Sequence, residues 1–121
     1  MEIKTQILEN NIGRGWGCGY VFIPLNHPFL VKRLLSNDTY FYPQVEGFSE
    51  EITFVKNEGD YLQIGFDTSH SWNTPENSSK SFVIEKTEEL KKCIESYTLT
   101  DAKKEVKNHF NELKETFKKY L

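Results

Sequence analysis

The hydrophobic pattern changes period partway along the chain, and that change sets the fold class before any single residue is considered. Up to about residue 72, apolar residues come in short β-branched and aromatic runs broken by turn residues. From residue 81 they recur at helical spacing. Val83, Thr87, Leu90, Ile94 and Tyr97 are separated by steps of four, three, four and three, which places them on one helix face. Ala102, Val106, Phe110, Leu113, Phe117 and Tyr120 repeat the pattern in a second segment. A chain of 121 residues makes one domain by length and can bury a core without disulfides or metals. The expected fold is therefore α+β: an antiparallel sheet of about four to five strands packed by one or two C-terminal helices. Residues 1–72 are mainly β and residues 81–121 form the helical part.

Residues 1–9 alternate weakly, as an edge strand does. Residues 10–19 hold glycines at 13, 15, 17 and 19. The stretch lacks the GxxxxGK[ST] spacing and no helix follows, so it reads as a glycine-rich turn entering a strand and not as a phosphate loop. Tyr20-Val21-Phe22-Ile23 is a strand that Pro24 ends, and Asn26-His27-Pro28 is a turn. Residues 29–36 form a short helical turn. Strands are expected at Tyr40-Phe41-Tyr42 and within residues 45–55, centred on Ile52 and Phe54. Asn57-Glu58-Gly59-Asp60 signals a hairpin whose return strand is residues 61–66, so the sheet reads as a meander. Residues 73–80 are turn-rich and expected to be mobile. Ser81 and Thr100 are the expected caps of the two helices.

Formal net charge is −3, which argues against non-specific attraction to nucleic acid or anionic lipid. Residues 101–121 carry six Lys against four acids, a local +2 that leaves −5 for the remainder. A solvated helix face explains that basic segment, and a homodimer through the last helix is a further possibility. Cys18 and Cys93 are too few and too far apart for a disulfide framework. The start of the chain lacks a basic segment followed by an apolar run, and no apolar stretch approaches the roughly 18 residues needed to span a membrane. A cytoplasmic protein with reduced thiols is expected.

Two strand ends carry histidines on polar turns. His27 follows the first strong strand, and Asp67 and His70 follow the second. With Glu46 from Val45-Glu46-Gly47-Phe48, these make a set of two imidazoles and two carboxylates. Such a set suits acid–base work or a divalent metal that activates water. None of the spacings is a ligand signature such as HExxH, and turn chemistry accounts for the same residues: Asp in an Asx turn, His against backbone. Ser69 and Ser71 flank His70 without a GxSxG elbow. Cys18 reads as a buried thiol. Trp16 and Trp72 flank the site, where they could stack on a base or sugar, and closing the ends of the core is the preferred reading. His109 is expected to face solvent.

These residues resemble a family of small phage and prophage proteins with the pattern Cys-x-Gly-Tyr-Val-x-Val/Ile-Pro-x-x-His-Pro, then Val-His-Gly-Gly-Leu-Thr, then Gly-Phe-Asp-x-x-His. The matching residues are Gly19-Tyr20-Val21, Ile23-Pro24, His27-Pro28, Val45, Gly47, Gly65-Phe66-Asp67 and His70, within residues 16–97. Glu46 stands where the pattern has histidine, and Phe48 where it has its second glycine. The resemblance implies a phage or mobile-element setting and no particular reaction. Two functions follow as expectations. The first is an accessory protein that binds and modulates a host or phage macromolecule, for example by inhibiting a defence system. The alternative is a metal-assisted hydrolase or small-ligand binder using His27, Glu46, Asp67 and His70. A structural virion component is a third option that no repeat or coiled-coil signature favours.

Overall fold

A computed structural model describes residues 2–10, 14–36 and 41–120. Its elements in chain order are β1 Lys4–Glu9, β2 Gly17–Pro24, a 3₁₀ turn Pro28–Leu30 running into α1 Val31–Leu35, β3 Phe54–Glu58, β4 Tyr61–Asp67, α2 Lys80–Glu95 and α3 Leu99–Tyr120. The four strands form one antiparallel sheet in the order β1-β2-β4-β3. This is the α+β class expected, with four strands.

The order is not a meander, because β4 inserts between β2 and its own hairpin partner. Composition explains the choice. Residues 62–66 of β4 are all buried, whereas Lys56, Asn57 and Glu58 of β3 are exposed and suit an outer edge. The hairpin forms where expected, with Glu58 opposite Tyr61 and Gly59 at φ +58° in the two-residue turn.

Period-two alternation divides the sheet into two faces. Gly19, Val21 and Ile23 of β2 lie opposite Phe66, Ile64 and Leu62 of β4, and this face builds the core. Cys18, Tyr20 and Phe22 point the other way and are half-buried. There Tyr20 meets Phe54 edge-on at 5.2 Å, and Phe22 meets Tyr61 at 6.4 Å.

Helix α2 lies across β1 and β2. Its buried residues Val83, Thr87, Leu90 and Ile94 are the stripe read from the sequence. The cap is Ser79, two residues before the expected Ser81, with Ser79 Oγ accepting from the Phe82 N–H. Thr87 is tolerated in mid-helix because its hydroxyl donates to the Val83 carbonyl at 2.7 Å.

The strands expected at residues 40–42 and over most of residues 45–55 do not form. Tyr40 lies outside the described residues, Phe41 and Tyr42 are irregular, and β3 begins only at Phe54. Residues 41–53 instead form a loop that joins the core. Val45 and Ile52 are buried, and Phe48 packs edge-on against Phe66 at 5.6 Å. Gly47 turns the loop at φ +85°, a conformation that disfavours other residues. Glu89 of α2 pins the loop by accepting from both the N–H and the hydroxyl of Ser49. Apolar residues spaced for a strand were recruited as single anchors, since one tight turn per anchor leaves no run long enough to pair.

Helix α3 is capped by Thr98, not Thr100. Thr98 Oγ1 accepts from the Asp101 N–H, and the Asp101 carboxylate accepts from the Thr98 N–H at 2.8 Å. The Thr98 N–H, and after it the Thr98 hydroxyl donating to the same carboxylate at 3.0 Å, hold the Asp101 carboxyl below its ordinary range. The first turns of α3 pack on α1 and the 3₁₀ turn, where Ala102 is buried and Lys32 pairs with Glu105. Residues 110–120 are exposed throughout. His109, expected to face solvent, is partly covered.

The tightest joint between layers is at Gly19. A Cβ there would fall 2.0 Å from Thr87 Oγ1 and 2.6 Å from the Phe66 ring. Gly19→Ala therefore lowers stability by about 1–3 kcal/mol, read as a reduced urea midpoint. Adding Thr87→Ala recovers part of that loss if the contact is the cause, and none if it is not.

Candidate functional site

Antiparallel pairing decides where the polar residues can meet. Cys18 lies opposite Asp67, and Pro24 lies opposite Tyr61, so β2 ends where β4 begins. His27 follows the end of β2, while Asp67 and His70 follow the end of β4. Six residues of strand separate those ends, about 20 Å. The expected four-residue cluster is thus divided between opposite rims of the sheet. No group of three or more His, Cys, Asp or Glu side chains suited to a metal occurs among the described residues.

At the first rim, His27 is a turn residue. Its N–H donates to the Pro24 carbonyl at 2.9 Å, and its Nδ1 accepts from the Phe29 N–H at 3.1 Å, capping the 3₁₀ turn. Burial pushes the imidazole below its ordinary value, against an opposing pull from Glu95. Glu46 is exposed on the loop of residues 41–53. It lines a shallow cleft of about 190 Å³ beside Lys32, Cys93 and Tyr97.

The second rim brings Asp67 and His70 together as the sequence suggested. His70 Nδ1 lies 3.7 Å from Asp67 Oδ1 and 3.1 Å from Asn73 Oδ1. Asp67 is held from two sides, with one oxygen accepting from Thr53 Oγ1 at 2.8 Å and the other from the Ser69 N–H at 2.9 Å. Asn73 is the residue that sequence reasoning missed. Its Oδ1 also accepts the His70 N–H, and its Nδ2 donates to the buried Ser78 hydroxyl. Ser78 in turn donates to Asn77 Oδ1, and Asn77 Nδ2 donates to the Trp72 carbonyl. The amide of Asn73 is oriented by this chain, so its Oδ1 is presented as an acceptor to His70 Nδ1.

Residues 73–80, expected to be mobile, are instead bonded within themselves, Asn73 to Ser78, Thr74 to Asn77 and Ser78 to Asn77. They are also stitched from outside. Trp16 N–H donates to the Ser78 carbonyl, and just ahead of the segment Gly15 N–H and Arg14 Nη1 donate to the carbonyls of Thr68 and Ser71. The clustering of Asn, Ser and Thr over residues 73–79 was the available signal. Such side chains replace missing ladder bonds as readily as they mark a loose loop.

This frame presents Trp72. The indole stacks flat on His70, with centroids 4.4 Å apart and planes 10° from parallel, yet it remains 64% exposed. The preferred reading of Trp72 as a lid on the core is therefore corrected: its partner is His70 and its other side faces solvent. Trp16 does pack against the core, with Lys80 Nζ 5.7 Å from its ring. Cys18 is no nucleophile candidate, since burial pushes its thiol up, and burial together with Cys18 pushes the Tyr20 phenol to about 12.

No family model matches the chain, and neither does any curated protein or solved structure. The resemblance expected from the motif residues therefore has no counterpart in these comparisons. Within those motifs the structure separates two jobs. His27 with Pro28 shapes a turn, and Asp67 with His70 braces an exposed tryptophan.

The turn makes a pH prediction. Protonated Nδ1 cannot accept the Phe29 N–H, and the folded imidazole sits below the unfolded value near 6.5. The unfolded chain then binds more protons in that range, so the contribution of His27 is present above pH 6.5 and declines as pH falls through it. Urea titrations of wild type and His27→Asn, which keeps an acceptor but does not titrate, are expected to diverge between pH 7.5 and about 5.5. Parallel curves would remove the titrating cap.

Proposed function

We propose that this chain is a small phage- or prophage-type accessory protein. In this reading it binds a host or phage macromolecule and modulates it, as an inhibitor of a defence system would. The observation that carries the reading is the Trp72 platform. A large indole, 64% exposed, is held flat on His70 by a turn whose side chains are bonded to one another. An aromatic side chain fixed before contact loses little conformational freedom on binding, and for that reason Trp is enriched among residues that dominate interface energies. Arg14, attached to the same turn through Ser71, supplies a second side chain of the type enriched at such contacts. The motif residues shared with phage proteins supply the biological setting.

The alternative, a metal-assisted hydrolase built on His27, Glu46, Asp67 and His70, needs those groups within a few ångströms of one another. The division between rims removes its geometry.

Expression of the chain in a bacterium that carries a defence system is expected to raise the plating efficiency of a phage restricted by that system. Trp72→Ala is expected to weaken capture of the target at least about thirtyfold while leaving the urea midpoint unchanged. Unaltered plating across defence systems would remove the inhibitor reading, and a fully active Trp72→Ala would remove the platform from it.

A further inference from the structure

A second surface lies away from Trp72, on the other side of the molecule's division into rims. Between α1 and the first half of α3 runs a groove of about 410 Å³, lined by Leu25, Leu30, Leu34, Leu99 and Val106 with His27 at its edge. Its apolar character continues along the exposed half of α3 through Phe110, Leu113 and Phe117. Leu34 is 82% exposed and Tyr120 84%, and Leu25, Leu99, Phe110 and Phe117 are each about half exposed or more. So many large apolar side chains exposed along one groove and one helix face mark an interaction surface, where singly scattered ones would not.

The charges beside the stripe select its occupant. At 100° per residue, Lys103, Lys107, Lys114 and Lys118 all fall along one edge of the stripe. On the opposite edge Glu105 is already paired with Lys32. Lys118 pairs with the exposed Glu115, and Lys103, Lys107 and Lys114 make no ion pair among the described residues. A second copy fits poorly against this edge. Antiparallel helices that stack Phe110 on Leu113 bring Lys107 against the partner's Lys114, and parallel ones set Lys103 against its own counterpart. Like charges facing each other disfavour both arrangements.

We infer that the α1–α3 groove and the α3 stripe dock an amphipathic helix of another protein whose flanking edge is acidic. Its apolar residues fill the groove and cover Phe110 and Phe117, and its carboxylates meet Lys103, Lys107 and Lys114. This contact does not depend on the Trp72 reading, because Trp72 sits at the rim where β4 ends.

The full chain is titrated, by fluorescence anisotropy, against a labelled synthetic helical peptide of three leucine heptads edged with glutamate, and against its lysine-edged twin. The glutamate-edged peptide is expected to bind at least about tenfold more tightly, with the preference shrinking as salt rises. Lys107→Glu combined with Lys114→Glu reverses the order, Phe110→Asp weakens binding of the glutamate-edged peptide, and Trp72→Ala changes nothing. All these positions are exposed, and circular dichroism confirms folding of each variant. Equal binding of the two peptides, or binding of neither, overturns the inference. So does a wild-type dimer in light scattering that Phe117→Asp dissolves, which would assign the stripe to a second copy.

Discussion

Pairing of β2 with β4 is the interaction on which the remaining structure depends. The two strands share seven registered positions, and their inward residues, from Gly19 to Ile23 and from Leu62 to Phe66, are almost wholly buried. Every other layer is placed by this pair. β1 and β3 add to its two outer sides, and α2 covers β2 and β1. Residues 41–53 cover β4 through Phe48. Because the pair is antiparallel, it also sends its two polar ends in opposite directions. The same hydrogen bonds that make the core therefore forbid a pocket shared by His27 and His70.

Packing of α2 so close to the sheet has its own requirement. Thr87 and Gly19 act as a small-residue joint, with the threonine hydroxyl satisfied by its own helix and no side chain on the strand to hold the layers apart. Beyond the C-terminal end of α2 the chain turns through the Thr98–Asp101 cap into α3, which packs on α1 at its start and is exposed from residue 110 to 120. No helix among the described residues is long and apolar enough to cross a membrane. The apolar stripe of α3 is instead broken by charge at every turn, as on a helix that meets a partner on one side and water on the other.

Opposite ends of the molecule thus carry different contact chemistry. One end offers a single rigid indole on a network of Asn, Ser and Thr side chains. The other offers a broad apolar strip with a lysine edge on a helix that is free along half its length. Under the two proposals made above, the protein would hold one partner at each end. Its sheet would keep the two contacts about a strand length apart.

The sequence by itself determined the class of fold and most of its elements. Short β-branched and aromatic runs up to residue 72 and helical period after 81 are local properties, set by which side chains suit a pleat and which suit a stripe. They survive in the structure as β2, β4, the β3–β4 hairpin and the buried face of α2. Pro24 and the Gly59 turn were legible for the same reason, as each acts on its own backbone. The pairing of Asp67 with His70 was legible too, because three residues in a turn cannot separate far.

Only tertiary structure decided the strand order, the fate of residues 41–53 and the company each histidine keeps. Whether Phe48 sits in a ladder or anchors a loop depends on Phe66, eighteen residues further along the chain. Trp72 could close a core or stand on a histidine, and the amide of Asn73 settled it by fixing the imidazole. Strand order was the largest omission: an antiparallel sheet was expected, but neither segment by itself says that β2 and β4 lie side by side, and so at which rim each polar end emerges. The sense of the hydrogen-bonded ladder, a relation between distant segments, is what placed those ends about 20 Å apart.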